Sequence, residues 1–140
     1  MIRTPPPAHA FTLSLTAQPS DIDELGHVNN AVWVQWIQLA ATSHWAARAT
    51  VHERSNYVWV VVRHEIDYLR PLTAGQTVTA HTWVGETARG ARFDRYVHFK
   101  KADGVAYVTA CTSWAFINRA SGRPQRVPAE LVARFHQNMM

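Results

Sequence analysis

The sequence holds a single cysteine, Cys111, among its 140 residues. One thiol excludes an intramolecular disulfide and any multi-cysteine zinc site, and it suits a reducing cytoplasm. No uninterrupted apolar stretch approaches the roughly 20 residues that a membrane helix requires. The opening MIRTPPPAHA has prolines where a signal peptide needs an apolar segment. Several chemical signatures are missing too. There is no P-loop, no glycine fingerprint for a dinucleotide and no Gly-x-Ser-x-Gly elbow, so nucleotide hydrolysis, Rossmann redox chemistry and the common serine hydrolases lose their main support. His52-Glu53 and His64-Glu65 each begin like a zinc-protease helix, but Asn56 and Tyr68 stand where the second histidine must be. No metal site is expected. Cys111 sits between Ala110 and Thr112 in a strand pattern and reads as a small buried hydrophobe rather than a nucleophile.

What is present is ordinary for a globular domain: 47% hydrophobic, 17% charged and 11% aromatic residues. A chain of this size buries roughly 68% of its unfolded surface, enough for a core without staples. Fourteen basic against ten acidic groups leave +4, which favours anionic partners. Phosphorylated small molecules, acidic carrier proteins, nucleic acid and anionic membrane all fit that balance. The tryptophans argue against nucleic acid, because Trp33, Trp36, Trp59, Trp83 and Trp114 fall within helix or strand patterns where core packing accounts for them.

After a proline-stiffened lead-in, Phe11, Leu13, Leu15 and Ala17 alternate with polar residues and predict a half-buried strand. A polar loop runs from Gln18 to Asn29. From Asn30 to Arg48 there is no Gly or Pro, and Val32, Trp33, Trp36, Ile37, Leu39, Ala40, Ser43 and Ala47 recur at helical spacing. Asn29 or Asn30 can cap this helix. Its polar face is thin, Gln35, Gln38, Thr42 and His44, so it is expected to be covered over most of its circumference. The period then changes to two. Strand patterns follow over Tyr57 to Leu69, Thr77 to Val84, Ala91 to Lys100 and Val105 to Ile117, the last two flanking the turn Ala102-Asp103-Gly104. Pro128 to Gln137 can close the domain as a short helix. One long helix and antiparallel strands make an α+β domain.

The chemistry concentrates in Ser20 to Asn30, SDIDELGHVNN, just ahead of the helix. A helix N-terminus presents unpaired N–H groups and a positive dipole end that can hold a developing oxyanion. A carboxylate about seven residues upstream can loop back over it as nucleophile or as base for water. Gly26 permits a tight turn and close approach of a ligand to backbone. His27 can hydrogen-bond the substrate or orient the carboxylate. The plainer alternative is a solvated loop with a turn glycine and capping asparagines.

Asp21, Asp23, Gly26, His27, Val28, Asn29 and Asn30 form Asp-x-Asp-x-x-Gly-His-Val-Asn-Asn. This string resembles the signature of the hotdog-fold thioesterases, in particular the 4-hydroxybenzoyl-CoA thioesterase-like group and the plant acyl-ACP thioesterases. The resemblance continues through Val62-Arg63-His64-Glu65-Ile66-Asp67-Tyr68-Leu69-Arg70-Pro71-Leu72, Thr112-Ser113-Trp114 and Ser121-Gly122-Arg123-Pro124. It implies a single hotdog domain over residues 10–140, an antiparallel sheet wrapped around a long central helix, behind a flexible Pro-rich lead-in at residues 1–9. It implies an acyl-CoA or acyl-ACP thioester hydrolase, with Asp23 as catalytic carboxylate, the Asn30 backbone N–H polarising the thioester carbonyl and His27 assisting. Trp33 and Gln38 depart from the usual tyrosine and glutamate. A second hotdog group takes its carboxylate from the central helix, but no Asp or Glu lies between Asn30 and Arg48.

By the same resemblance each site in a homodimer or homotetramer draws on a second subunit, which gives His64 and Glu65 a possible place near the thioester; a cross-strand pair is the plainer account. Arg89, Arg92 and Arg95, and further on Arg119, Arg123 and Arg126, fall in regions where relatives hold the phosphates of coenzyme A; for each arginine taken singly, a solvated basic rim is the plainer account. Coenzyme A enters as part of the substrate, so no cofactor is implied. The rival is a hotdog protein that binds acyl thioesters without hydrolysing them.

Overall fold

A computed structural model describes residues 4–137. Five strands form one antiparallel sheet in the order β1-β3-β4-β5-β2, with β1 Phe11–Thr16, β2 Tyr57–Tyr68, β3 Thr77–Val84, β4 Arg92–Lys100 and β5 Ala106–Asn118. The long helix α1, Asn30–Arg48, lies across one face. Among the described residues there are two further, short α-helices, α2 at Val51–Asn56 and α3 at Ala129–Phe135.

Alternation along the strands builds the inner face. Val78 and Ala80 of β3, Val97 and Phe99 of β4, and Val108 and Ala110 of β5 pack against Trp33, Trp36, Ile37 and Ala40 of α1. A second cluster fills the other end of the sheet, where Val84, Phe93 and Phe116 meet Leu131 and Phe135 of α3 and Trp45 of α1. A β-bulge at Val62 shifts the pairing of β2 with β5: Val61 opposes Trp114 but Arg63 opposes Ser113. The bulge restores His64, Ile66 and Tyr68 to the inner face and sends Arg63 and Glu65 outward.

Two expectations need correction, and one element was not foreseen. Helix α1 is less covered than its thin polar face suggests, because Ala31, Gln35, Gln38, Leu39, Thr42 and Ala46 are all exposed. The helix makes most of its contacts with the sheet on β1, β3 and β4. His44 is not on the polar face. It is buried between Phe11, stacked at 5.1 Å, and Phe135 at 4.9 Å. Helix α2 lies in a stretch without apolar periodicity and is set by its ends: Thr50 and Glu53 form a reciprocal capping box, Glu53 N–H to Thr50 Oγ1 at 3.1 Å and Thr50 N–H to Glu53 Oε1 at 2.9 Å.

Of the lead-in, residues 1–3 lie outside the described residues; at its far end the His9 ring sits 5.7 Å from that of His136. No helix among the described residues is long and apolar enough to cross a membrane.

Candidate active site

The loop between β1 and α1 is folded by its own polar groups. Asp21 closes a 3-10 turn at Pro19–Asp21 by accepting the Gln18 N–H on Oδ2 at 2.8 Å, so its carboxylate serves the loop. Asp23 begins a second turn: its N–H donates to the His27 carbonyl at 2.8 Å, and its carbonyl accepts the Gly26 N–H at 3.0 Å. Gly26 has φ +80°, the left-handed region that glycine adopts without strain. Within this turn Oδ1 of Asp23 accepts the N–H of Leu25 at 2.9 Å and of His27 at 3.3 Å, which orients the carboxylate. Oδ2 has no partner among the described residues.

The turn is then pinned to the sheet. Val28, 3% exposed, donates its N–H to the Leu72 carbonyl at 2.8 Å, just beyond β2. Asn29, rather than Asn30, is the helix cap, accepting the Ala31 N–H on its side-chain oxygen at 2.9 Å. Asn30 is therefore the first residue of α1, and its own N–H has no acceptor among the described residues. Helix capping thus leaves one backbone donor unused where the dipole is most positive.

Asp23, His27, Asn29, Asn30 and Trp33 line a cleft of about 340 Å³ whose opposite wall is Tyr68, Leu69, Arg70 and Pro71. That wall went unassigned in the sequence. Its one local signal is position, since it connects β2 to Leu72, the residue that receives Val28. The Tyr68 hydroxyl reaches the Asn30 carbonyl at 3.5 Å, and burial raises its pKa. Gly26 shapes the Asp23 turn without itself lining the cleft.

The other predicted residues lie elsewhere in the protomer. His64 hydrogen-bonds Thr112 Oγ1 through Nδ1 at 2.7 Å, and burial lowers its pKa. Glu65 is exposed and pairs with Arg63 at 3.5 Å along its own strand. Arg89 forks onto Asp94, at 3.2 and 3.4 Å, while Arg92, Arg123 and Arg126 are exposed. These four arginines border the sheet end where Tyr57 opposes Asn118, whereas Tyr68 and the Asp23 cleft mark the other end. Arg95, expected on that basic rim, points inward and is buried, because it alternates with the outward Asp94 and Tyr96. Cys111 has its thiol pKa pushed up to about 11 by burial, so it is protonated at neutral pH.

A family profile described as the thioesterase-like superfamily matches residues 17–135. The chain belongs to this superfamily. The thioesterase-like match spans the loop, α1, the strands β2 to β5 and α3. Among curated proteins, a chloroplastic acyl-[acyl-carrier-protein] hydrolase of Cuphea viscosissima is 26% identical over 78 residues, 56% of this chain but only 19% of that protein. The chain thus matches about a fifth of that relative's length. Among solved structures, a predicted thioesterase from Bacillus stearothermophilus superposes with a TM-score of 0.76 at 22% identity, covering 94% of this chain and 97% of that one. A Staphylococcus aureus protein solved in complex with CoA gives 0.79 at 20% identity over 94% and 86%. A 1,4-dihydroxy-2-naphthoyl-CoA thioesterase from Synechocystis gives 0.77 at 16% identity over 91% and 98%. At these identities the likeness is one of fold, and the fold is the hotdog arrangement of an antiparallel sheet around a central helix.

Proposed function

We propose that this thioesterase-like protein hydrolyses acyl thioesters of coenzyme A or acyl carrier protein at the Asp23 cleft. The observation that carries the reading is the meeting, in one cleft, of an oriented carboxylate and an unused helix N-terminal N–H. The thioester carbonyl accepts the Asn30 N–H, which stabilises the oxyanion as the carbonyl carbon becomes tetrahedral. Asp23 either takes a proton from the attacking water or attacks first and is released by water. With water as the attacking group the C–S bond breaks as the tetrahedral intermediate collapses; with Asp23 as nucleophile it breaks first, leaving a mixed anhydride that water then hydrolyses. In both the sulfur leaves with a proton and the acyl group departs as a carboxylic acid. His27, at the same rim, hydrogen-bonds the substrate. No cofactor is needed, since coenzyme A is part of the substrate.

The site is completed by a second copy of the chain. Strand β2 is a sheet edge whose outer side is unpaired and carries exposed Val60, Val62, Tyr68 and Leu69. Antiparallel pairing of two such edges brings Tyr57 of one copy beside Tyr68 of the other. Arg89, Arg92, Arg123 and Arg126 of one copy then approach the cleft of the next, where they suit the phosphates of a nucleotide carrier. The +4 balance supports this.

Thiol release measured across straight-chain acyl-CoAs, aryl-CoAs and acyl-ACP tests the reading, with Asp23→Asn as control. Turnover that disappears in the variant while ligand binding persists is expected. Binding without turnover in the parent protein, or full activity in the variant, overturns it.

A further inference from the structure

A second cavity, of about 400 Å³, lies at the far end of α1 from Asp23. Its walls are aromatic: Trp45 of α1, Tyr57 and Trp59 of β2, Phe93 of β4 and Trp114 of β5. The cavity lies between the C-terminal half of α1 and the inner side of β2, β4 and β5. At the rim stand the exposed Arg54 and Arg119, the latter donating to the Ser55 carbonyl at 3.2 Å.

Arg95 also lines this cavity, and it is unusual. The residue is only 7% exposed, yet no carboxylate lies within salt-bridge distance of it among the described residues. Its Nη1 donates to His44 Nδ1 and to Thr82 Oγ1, both at 2.9 Å. Nε and Nη2 have no partner among the described residues. Both acceptors are neutral. Burial and the neighbouring charges of Arg95, Arg48 and His9 press the His44 pKa down to about 3, so at neutral pH its Nδ1 carries a lone pair. Burial lowers the Arg95 pKa only to about 10, so the guanidinium stays charged. The one acid among the lining residues, Asp94, is engaged by Arg89 at 3.2 Å and by Ser113 at 3.0 Å.

A buried cation without a counter-charge is costly and is tolerated where an anion completes it. Five aromatic walls favour a flat apolar body, and a guanidinium with free donors favours a planar oxyanion. We infer that this cavity binds a planar aromatic carboxylate, its ring among Trp45, Trp59, Phe93 and Trp114 and its carboxylate on Arg95. The ligand has two possible sources: a free aromatic acid, or an aromatic acyl group bearing a second carboxylate whose thioester end lies in a partner's cleft. Only the second source rests on the hydrolase reading.

The test titrates the full chain with 2-naphthoate and with its neutral isostere 2-naphthamide, read by tryptophan fluorescence and by calorimetry. Naphthoate is expected to saturate one site and to bind about tenfold to a hundredfold more tightly than the amide. Arg95→Met is expected to remove that preference, whereas the rim double variant Arg54→Gln, Arg119→Gln retains it. Equal affinity for acid and amide, no saturable binding, or loss of the preference only in the rim variant overturns the inference. Should Arg95→Met fail to fold, the acid-against-amide comparison in the parent and rim proteins still decides. Inhibition of thiol release distinguishes the sources: competition with acyl-CoA indicates the acyl end of the reacting site, and a fall in kcat alone or no inhibition indicates a free acid. The binding arms need no turnover, so failure of the hydrolase reading leaves them readable.

Discussion

The Leu25 backbone N–H donates to Oδ1 of Asp23 at 2.9 Å, so one oxygen of the carboxylate holds the loop while the other has no partner among the described residues. Asparagine at position 23 keeps an oxygen acceptor for Leu25 but carries no charge. Asp23→Asn is therefore expected to lose about a hundredfold or more in kcat while stability changes by less than about 1 kcal/mol. Asp23→Ala, which also removes the acceptor, should lose about 1 kcal/mol of stability besides. Thiol release and urea unfolding of both variants check the split.

Gly26 closes the same turn, donating to the Asp23 carbonyl at 3.0 Å with φ +80°. A Cβ there meets nothing within 4 Å, so Gly26→Ala acts through backbone strain alone. About 1–2 kcal/mol is expected, and relief of that strain should shift Asp23. The variant should lose proportionately more kcat/KM than thermal stability, as kinetics beside calorimetry will show.

Two histidines make the protein sensitive to acid. His44 is pressed from 6.5 to about 3 by burial and then by Arg95, Arg48 and His9, and His98 from 6.5 to about 4 by burial and then by Lys100 and His81. Both are neutral when folded but take up protons on unfolding below pH 6.5. Their stabilisation is fully present above 6.5 and declines as the pH falls toward the folded values, by about 1.4 kcal/mol per pH unit for each. His44→Asn keeps an acceptor near Nδ1, so it should flatten the slope by about 1.4 kcal/mol per unit even as it lowers stability at neutral pH. Urea unfolding across the range measures it.

Arg134 and Glu53 join α3 to α2 through hydrogen bonds of 2.7 and 3.2 Å. Burial alone raises the Glu53 pKa, but the Arg134 hydrogen bond and the Thr50 N–H lower it further, and it ends below 4.5. The pair's stabilisation is present above that value and lost as the pH falls through the folded one. Arg134→Met should cost about 2–3 kcal/mol at neutral pH, with a smaller deficit in acid, once Glu53 has protonated. Equal deficits at both pH values would count against the assignment.

Val60 and Val62 are 49% and 47% exposed on the β2 edge. Replacing both with aspartate places charge on the surface proposed to pair two copies. Light scattering should report a dimer or an even multiple for the parent and the 15.8 kDa monomer for the variant, with thiol release lost alongside. A variant that stays dimeric and active would remove β2 from the interface.

The elements and their order were legible in the sequence because periodicity is local. The alternation from Phe11, the unbroken stretch of Asn30–Arg48 and the hairpin around Gly104 each declare themselves within a few residues. The Asp23 turn was legible for the same reason, since Asp23, Gly26 and His27 contact one another over four positions. Helix α2 carried a readable signal in Thr50 and Glu53, but no apolar period drew attention to it.

Only the tertiary structure decided the rest, because it depends on residues far apart in the chain. The cap fell to Asn29 once Val28 was tied to Leu72, which freed the N–H of Asn30. Tyr68 joined the cleft because the bulge at Val62 set which side of β2 faces inward. Arg95 looked like one more member of a basic rim. Its burial beside His44 and Thr82, 51 and 13 positions away, follows from strand parity and from where α1 crosses the sheet. Local pattern specifies which face a residue takes, but only the packed sheet and helix determine what that face meets.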